Sequence, residues 1–158
     1  MVLLEEILAE AGISWSDLSA IGVGTGPGNF TGVRISVAAA RGLALGLGIP
    51  AIGVTALEAA AFGAILPVQV VLDARRDEVY VQSFGDIGPG EARLIAVTAL
   101  PTGPVIGHGR VAPKYPIAEA IARIAAARLH APQPRPAPFY LRGADAAPPS
   151  DPPPVILP

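Results

Sequence analysis

Cysteine is missing from all 158 residues, which excludes disulfides, thiol catalysis and zinc held by thiolates. Histidine is nearly missing too: His108 and His130 stand far apart, outside any His-Glu-x-x-His run, so no histidine metal pair is encoded. Lys114 is the sole lysine and Arg75-Arg76 the sole adjacent basic pair. With a net charge of −2, the chain lacks the basic stripe of a protein that grips nucleic acid unaided. Aromatics make up only 5%, which favours slim helices packed closely on a sheet over an aromatic-rich groove. Long apolar runs are lacking as well. The charge-free stretches between Arg41 and Glu58, and between Glu58 and Asp73, are each shorter than a bilayer span, and Gly48-Ile49-Pro50 interrupts the first. Glu5, Glu6 and Glu10 stand where an apolar signal core would be, so the chain reads as cytoplasmic, without membrane contact.

What is present is apolar: hydrophobic residues reach 51% and charged residues 15%, which excludes disorder for most of the length. Leu3, Leu4, Ile7, Leu8 and Ala11 recur at helical spacing, with the glutamates opposite and Gly12 as a stop. Residues 20–25 read as a short buried strand, followed by the turn Gly26-Pro27-Gly28-Asn29 and a helix from Thr31 to Leu47. A strand at 51–54 leads into Thr55-Ala-Leu-Glu58, the pattern of a capping box. Strand, helix, strand, helix implies an α/β fold with parallel strands. After Pro67 a second unit begins, with a hairpin of 68–73 and 78–84 around Ala74-Arg75-Arg76-Asp77. Strands at 92–97 and 104–107 and an Ala-rich helix at 117–129 follow. From Ala131 onward, ten of the last 28 residues are proline, which predicts an extended or disordered tail. Within it Pro138-Phe139-Tyr140-Leu141-Arg142 is suited to docking; Pro149-Ser150-Asp151-Pro152 offers a motif for a proline-binding partner, but a loose terminus is the simpler account.

Two segments carry candidate sites. The glycines of the Gly22–Arg34 stretch let the backbone turn sharply, and exposed amides at the helix start can hold an anion, making Gly26, Gly28, Thr31 and Gly32 candidates. The spacing matches neither the phosphate-loop nor the dinucleotide pattern, and no lysine follows to reach a phosphate. On the helix itself, Ala38, Gly42 and Gly46 recur every four residues beside Ile35 and Ala39, a flat face that another backbone can approach. Arg34 and Arg41 form an adjoining stripe able to meet carboxylates such as Glu6 or Glu10. With Leu4, Ile7, Leu8 and Leu45, these residues make a candidate partner interface. Packing of the helix on its own sheet is the simpler account of the same pattern. No catalytic centre is legible: Ser36 and Ser83 lie outside a nucleophile elbow, and Asp73, Asp77 and Glu78 are of the kind that satisfies backbone groups in turns.

Several segments in order resemble one family. They are Gly26-Pro-Gly-Asn-Phe-Thr-Gly-Val-Arg-Ile35, Arg41-Gly-Leu-Ala-Leu-Gly46 with Ile49-Pro50, Gly53-Val-Thr-Ala-Leu-Glu58, Leu72-Asp-Ala-Arg-Arg-Asp-Glu-Val-Tyr80 and Phe139-Tyr-Leu-Arg142. Together they resemble the TsaB (YeaZ) family of tRNA threonylcarbamoyladenosine (t6A) biosynthesis proteins, densely over 3–82, thinly over 85–135 and again at 138–145. The resemblance implies the two-lobed actin-like ATPase fold shared with sugar kinases. Here that fold divides into a partial first lobe at 1–65, a second lobe at 66–130 and the proline-rich tail at 131–158. It also implies a non-catalytic accessory subunit, without cofactor or metal of its own. Its expected partner is TsaD, which carries the metal and transfers threonylcarbamoyl to N6 of adenosine in tRNA. TsaE joins through the complex, tRNA is met only indirectly, and a homodimer is expected where TsaD is absent. The family normally begins with a strand pair ahead of the first helix here, so the first lobe is expected to lack strands flanking 20–25, as in a shortened chain or one with a start codon placed downstream. Two other readings compete: a kinase-like ATPase or peptidase of the same superfamily, and a small-molecule or nucleotide-binding domain using the Gly26–Gly32 turn.

Overall fold

The computed structural model describes residues 2–142. Helix α1 (Val2–Glu10) comes first and buries none of its side chains. Gly12, at φ 69°, adopts the left-handed conformation that ends it. A short 3-10 turn at Trp15–Asp17 leads to β1 (Ile21–Gly24), which pairs in parallel with β2 (Ala51–Val54), Ile21 against Ala51 through Gly24 against Val54. Among the described residues no strand pairs with the other edge of β1.

Between these strands runs α2 (Phe30–Leu47). It begins one residue earlier than the pattern predicts, because Asn29 caps it: Gly32 N–H donates to Asn29 Oδ1 at 2.8 Å. Gly48, at φ 67°, closes it, donating its N–H to Ala44. Val37, Ala40 and Ala44 are the buried side chains of α2, and Val37 and Ala40 pack with Val23 of β1. With 18 residues and a mean hydropathy of 1.3, α2 has the length and apolar character of a membrane span, yet it carries Arg34 and Arg41 within it.

Helix α3 (Ala56–Ala61) follows β2 and confirms half of the expected capping box. Glu58 N–H donates to Thr55 Oγ1 at 3.0 Å. The other half fails: Glu58 does not reach back, because its carboxylate is paired with the Arg128 guanidinium, with one contact at 3.3 Å and a second, shorter one. A cation offers a stronger charge-assisted bond than a neutral amide does.

The second sheet centres on the hairpin of β3 (Val68–Asp73) and β4 (Glu78–Gly85), antiparallel from Val68 against Phe84 to Asp73 against Val79. Its turn holds Arg75, Arg76 and Asp77 all at positive φ, 61°, 55° and 55°, a costly conformation for side chains of this size. Two backbone bonds, Ala74 N–H to Glu78 O at 3.0 Å and Glu78 N–H to Arg75 O at 3.1 Å, fasten it. Asp73 Oδ1 adds a third by accepting from Arg75 N–H at 3.1 Å. The outer edge of β4 takes β5 (Gly88–Pro89) at one end and β6 (Arg93–Ala96) at the other, and β3 pairs in parallel with β7 (Val105–Ile106). Leu57 of α3, fully buried, joins Val70, Ala74 and Tyr80 in the core beneath this sheet.

Helix α4 (Ile117–Ala127) departs from the division at 66–130. It packs on β1 and β2 of the first unit, with Ile121 and Ala125 against Gly22 and Ile121 alone against Gly24. A Cβ at Gly22 would come within 3.0 Å of Ala125 Cβ, so only bare backbone lets the helix lie this close. Chain order places α4 in the second unit, but its buried Ala120, Ile124 and Ala125 find their apolar complement on the first sheet. The tail likewise returns to the body as far as Arg142. Pro136 is buried, and Phe139 N–H donates to Thr25 O at 2.8 Å. The Pro149–Pro152 motif lies outside the described residues.

Candidate partner interface

Helix α2 buries one side and leaves the other bare. Ile35 is 64% exposed and Leu45 84% exposed, with Ala38 and Gly42 beside them also exposed. A Cβ built on Gly42 or Gly46 meets nothing within 4 Å, so neither glycine is required by packing inside this chain. Helix α1 adds exposed Leu3, Leu4 and Ile7, while Leu8 is half-buried. Scattered exposed apolar residues are ordinary, but several on one side of a helix mark an association surface.

The sequence places Arg34 and Arg41 on an adjoining stripe. Together with Arg135 and Pro138 of the returning tail, they line a shallow groove of about 380 Å³ along the side of α2. Within one chain Arg34 meets neither Glu6 nor Glu10. Its guanidinium lies over the Phe30 ring, 3.9 Å from the centroid, and its Nε donates to the Tyr140 hydroxyl at 2.8 Å. Phe30 and Tyr140 themselves stack obliquely, with centroids 5.1 Å apart. Stacking of this kind at an exposed site contributes about 0.5–1 kcal/mol and holds the guanidinium plane in one orientation. Tyr140 was the partner that sequence reasoning missed. The only signal was the apolar Phe139-Tyr140-Leu141 island in a proline-rich stretch.

The Gly26–Gly32 turn is largely occupied by the chain's own contacts. Gly26, buried at φ 95°, gives its carbonyl to Ala56 N–H at 2.7 Å, and a Cβ there would stand 2.9 Å from Phe139 O. The Gly32 amide is taken by Asn29. Gly28, Thr31 and Gly32 are exposed, so the four anion candidates divide into one buried residue and three at the surface. Beside the turn lies a cleft of about 690 Å³, walled by Pro27–Phe30, by Asp73–Arg76 with Tyr80, and by Phe139–Arg142.

Two carboxylates near that cleft are engaged. Asp73 accepts from the Arg75 amide, and Glu78 pairs with Arg142 at 2.6 Å. Desolvation pulls the Arg142 pKa down, but the charge of Glu78 and the hydrogen bonds that the guanidinium donates to Tyr80 and Glu78 outweigh it, leaving the guanidinium above its ordinary value. Among the described residues, no three His, Asp or Glu side chains gather as metal ligands.

Comparison with known proteins gives consistent matches. The model of the family "TsaD: tRNA N6-adenosine threonylcarbamoyltransferase" matches residues 1–147. An uncharacterized protein of Mycobacterium tuberculosis is 37% identical over 160 residues, covering 89% of this chain and 72% of that protein. The Escherichia coli tRNA threonylcarbamoyladenosine biosynthesis protein TsaB is 45% identical over 83 residues, 49% of this chain and 36% of its own. Among solved structures, an uncharacterized protein with similarity to peptidase YeaZ from Pseudomonas aeruginosa superposes with a TM-score of 0.64 at 26% identity. That match covers 88% of this chain and 81% of the other.

Proposed function

Because this chain belongs to the family of the tRNA N6-adenosine threonylcarbamoyltransferase TsaD and is a relative of TsaB, we propose that it is an accessory subunit in threonylcarbamoyladenosine biosynthesis. It docks on a TsaD-type transferase and supports transfer of threonylcarbamoyl to N6 of adenosine in tRNA, without carrying out the transfer itself. TsaE joins the same assembly, tRNA is held by the partner, and the work is done in the cytoplasm.

One observation carries this reading: α1, and separately the outer side of α2, leave apolar and small residues that this chain does not cover. The contact residues are Leu4, Ile7 and Leu8 of α1 with Arg34, Ile35, Ala38, Arg41, Gly42 and Leu45 of α2. A partner helix can settle against Ala38 and Gly42 at close range, where dispersion contacts are dense. Its carboxylates would meet Arg41, which faces the groove. Two copies can use the same surface on each other, giving a homodimer when the transferase is absent. The non-catalytic role is supported by the engagement of Asp73 and Glu78 in structural bonds near the cleft.

The test is reconstitution. Purified chain, TsaD and TsaE are combined with unmodified tRNA, threonylcarbamoyl-adenylate is supplied, and modified nucleoside is measured by mass spectrometry. Modification that depends on both this chain and TsaD agrees with the proposal. Modification, ATP hydrolysis or peptide hydrolysis by this chain alone overturns it in favour of a kinase-like or peptidase activity.

A further inference from the structure

Residues 136–142 have no regular secondary structure, yet they are fastened to both sheets in turn. The track they follow is cut by glycine. A Cβ on Gly53 would press to 3.4 Å from Pro136 Cβ, and one on Gly26 would strike Phe139 O. On the first unit, Phe139 N–H is held by Thr25 O, and the Tyr140 hydroxyl accepts from Arg34 at 2.8 Å. Two residues later the chain has crossed. Arg142 donates to Ala74 O at 2.9 Å and pairs with Glu78, which are the two residues that close the β3–β4 turn on each other. Leu141 packs into the core beneath the second sheet.

We propose that residues 136–142 are a strap that couples Arg34, at the start of α2, to the Ala74–Glu78 turn across the cleft. Three successive residues in the turn hold positive φ, so outside fastening adds to the bonds that the turn makes within itself. Arg142 supplies that fastening, and its position is set by Tyr140 two residues upstream. Anything that draws Arg34 off Tyr140 slackens the strap and frees the turn; anything that locks the turn holds Arg34 in place. The coupling is reciprocal because it is a free energy shared by two ends of one element. It stands on contacts inside this chain and does not depend on which partner docks.

Amide hydrogen exchange on the full chain tests it. Tyr140→Phe keeps the ring and its stacking and removes only the hydroxyl that Arg34 uses. The strap predicts that exchange of the Ala74 and Glu78 amides rises by about threefold or more, although the change is made at the first unit, while the central amides of β3 and β4 keep their protection. From the other end, Glu78→Gln should raise exchange of the Phe139 amide by a similar factor, and Arg34→Lys should repeat the effect of Tyr140→Phe. Effects confined to the unit that carries the substitution, no effect in either, or a uniform rise over the whole chain would each overturn the proposal.

Discussion

Arg34 and Tyr140, 106 residues apart in the chain, share a hydrogen bond of 2.8 Å from Nε to the hydroxyl at the edge of the candidate interface. That contact fixes the direction of a cation that the sequence alone leaves free. It also brings the proline-rich tail into the surface that α2 presents, through Arg135 and Pro138 in the groove.

Leu57 is the buried side chain through which α3 reaches the core of the second sheet, and none of it is exposed. Leu57→Ala should lower unfolding free energy by about 2–5 kcal/mol, since the close-packed surroundings collapse only partly around the cavity. Urea denaturation measures it. A loss below about 1 kcal/mol would mean that the cluster is not packed as described.

The Glu58–Arg128 pair ties α3 to the end of α4 over 70 residues of sequence, with both side chains about a third exposed. Arg128→Met keeps much of the packing and removes the charge. It should cost about 1–2 kcal/mol, between an open surface pair and a buried one. The loss should shrink in Glu58→Gln, and a double-mutant cycle reads the coupling directly.

Asp17 titrates below its ordinary 3.8, because the Ser14 hydroxyl and then the Ser14 amide donate to its carboxylate, with burial opposing slightly. A depressed folded-state pKa means that this turn's stabilisation is present above 3.8 and lost as pH falls through the depressed midpoint. Ser14→Ala should move the Asp17 midpoint upward toward 3.8, followed by carbon NMR of the carboxylate. An unmoved midpoint would remove the hydroxyl as the cause.

Much of the first unit was legible because its punctuation is local. Gly12 and Thr55 announce the ends of helices through interactions only three or four residues long, whereas Asn29 reads as part of a turn and its capping of α2 appears only in the structure. The hairpin was legible from alternation around a polar turn. Contacts across long separations were not. Glu58 has the spacing of a capping partner, and nothing near it in sequence reveals that Arg128 claims it. Helix α4 follows the second unit in order, and only its bare-backbone complement at Gly22 shows that it belongs on the first sheet. The two-residue strand Gly88–Pro89 has no periodicity to read. Within the candidate site, the exposure of Ile35, Gly42 and Leu45 needed coordinates, because helical spacing alone does not say which side of α2 the sheet takes.

The most direct measurement is the affinity of the Gly42→Leu chain for TsaD, by calorimetry or sedimentation. Gly42 has open space around it, so the substitution should leave the fold intact and raise helix stability by up to about 1 kcal/mol. The account predicts binding weakened about tenfold or more, as over-packing a close helix contact costs about 1–3 kcal/mol. Undiminished affinity in a variant that melts no lower than the parent would contradict it.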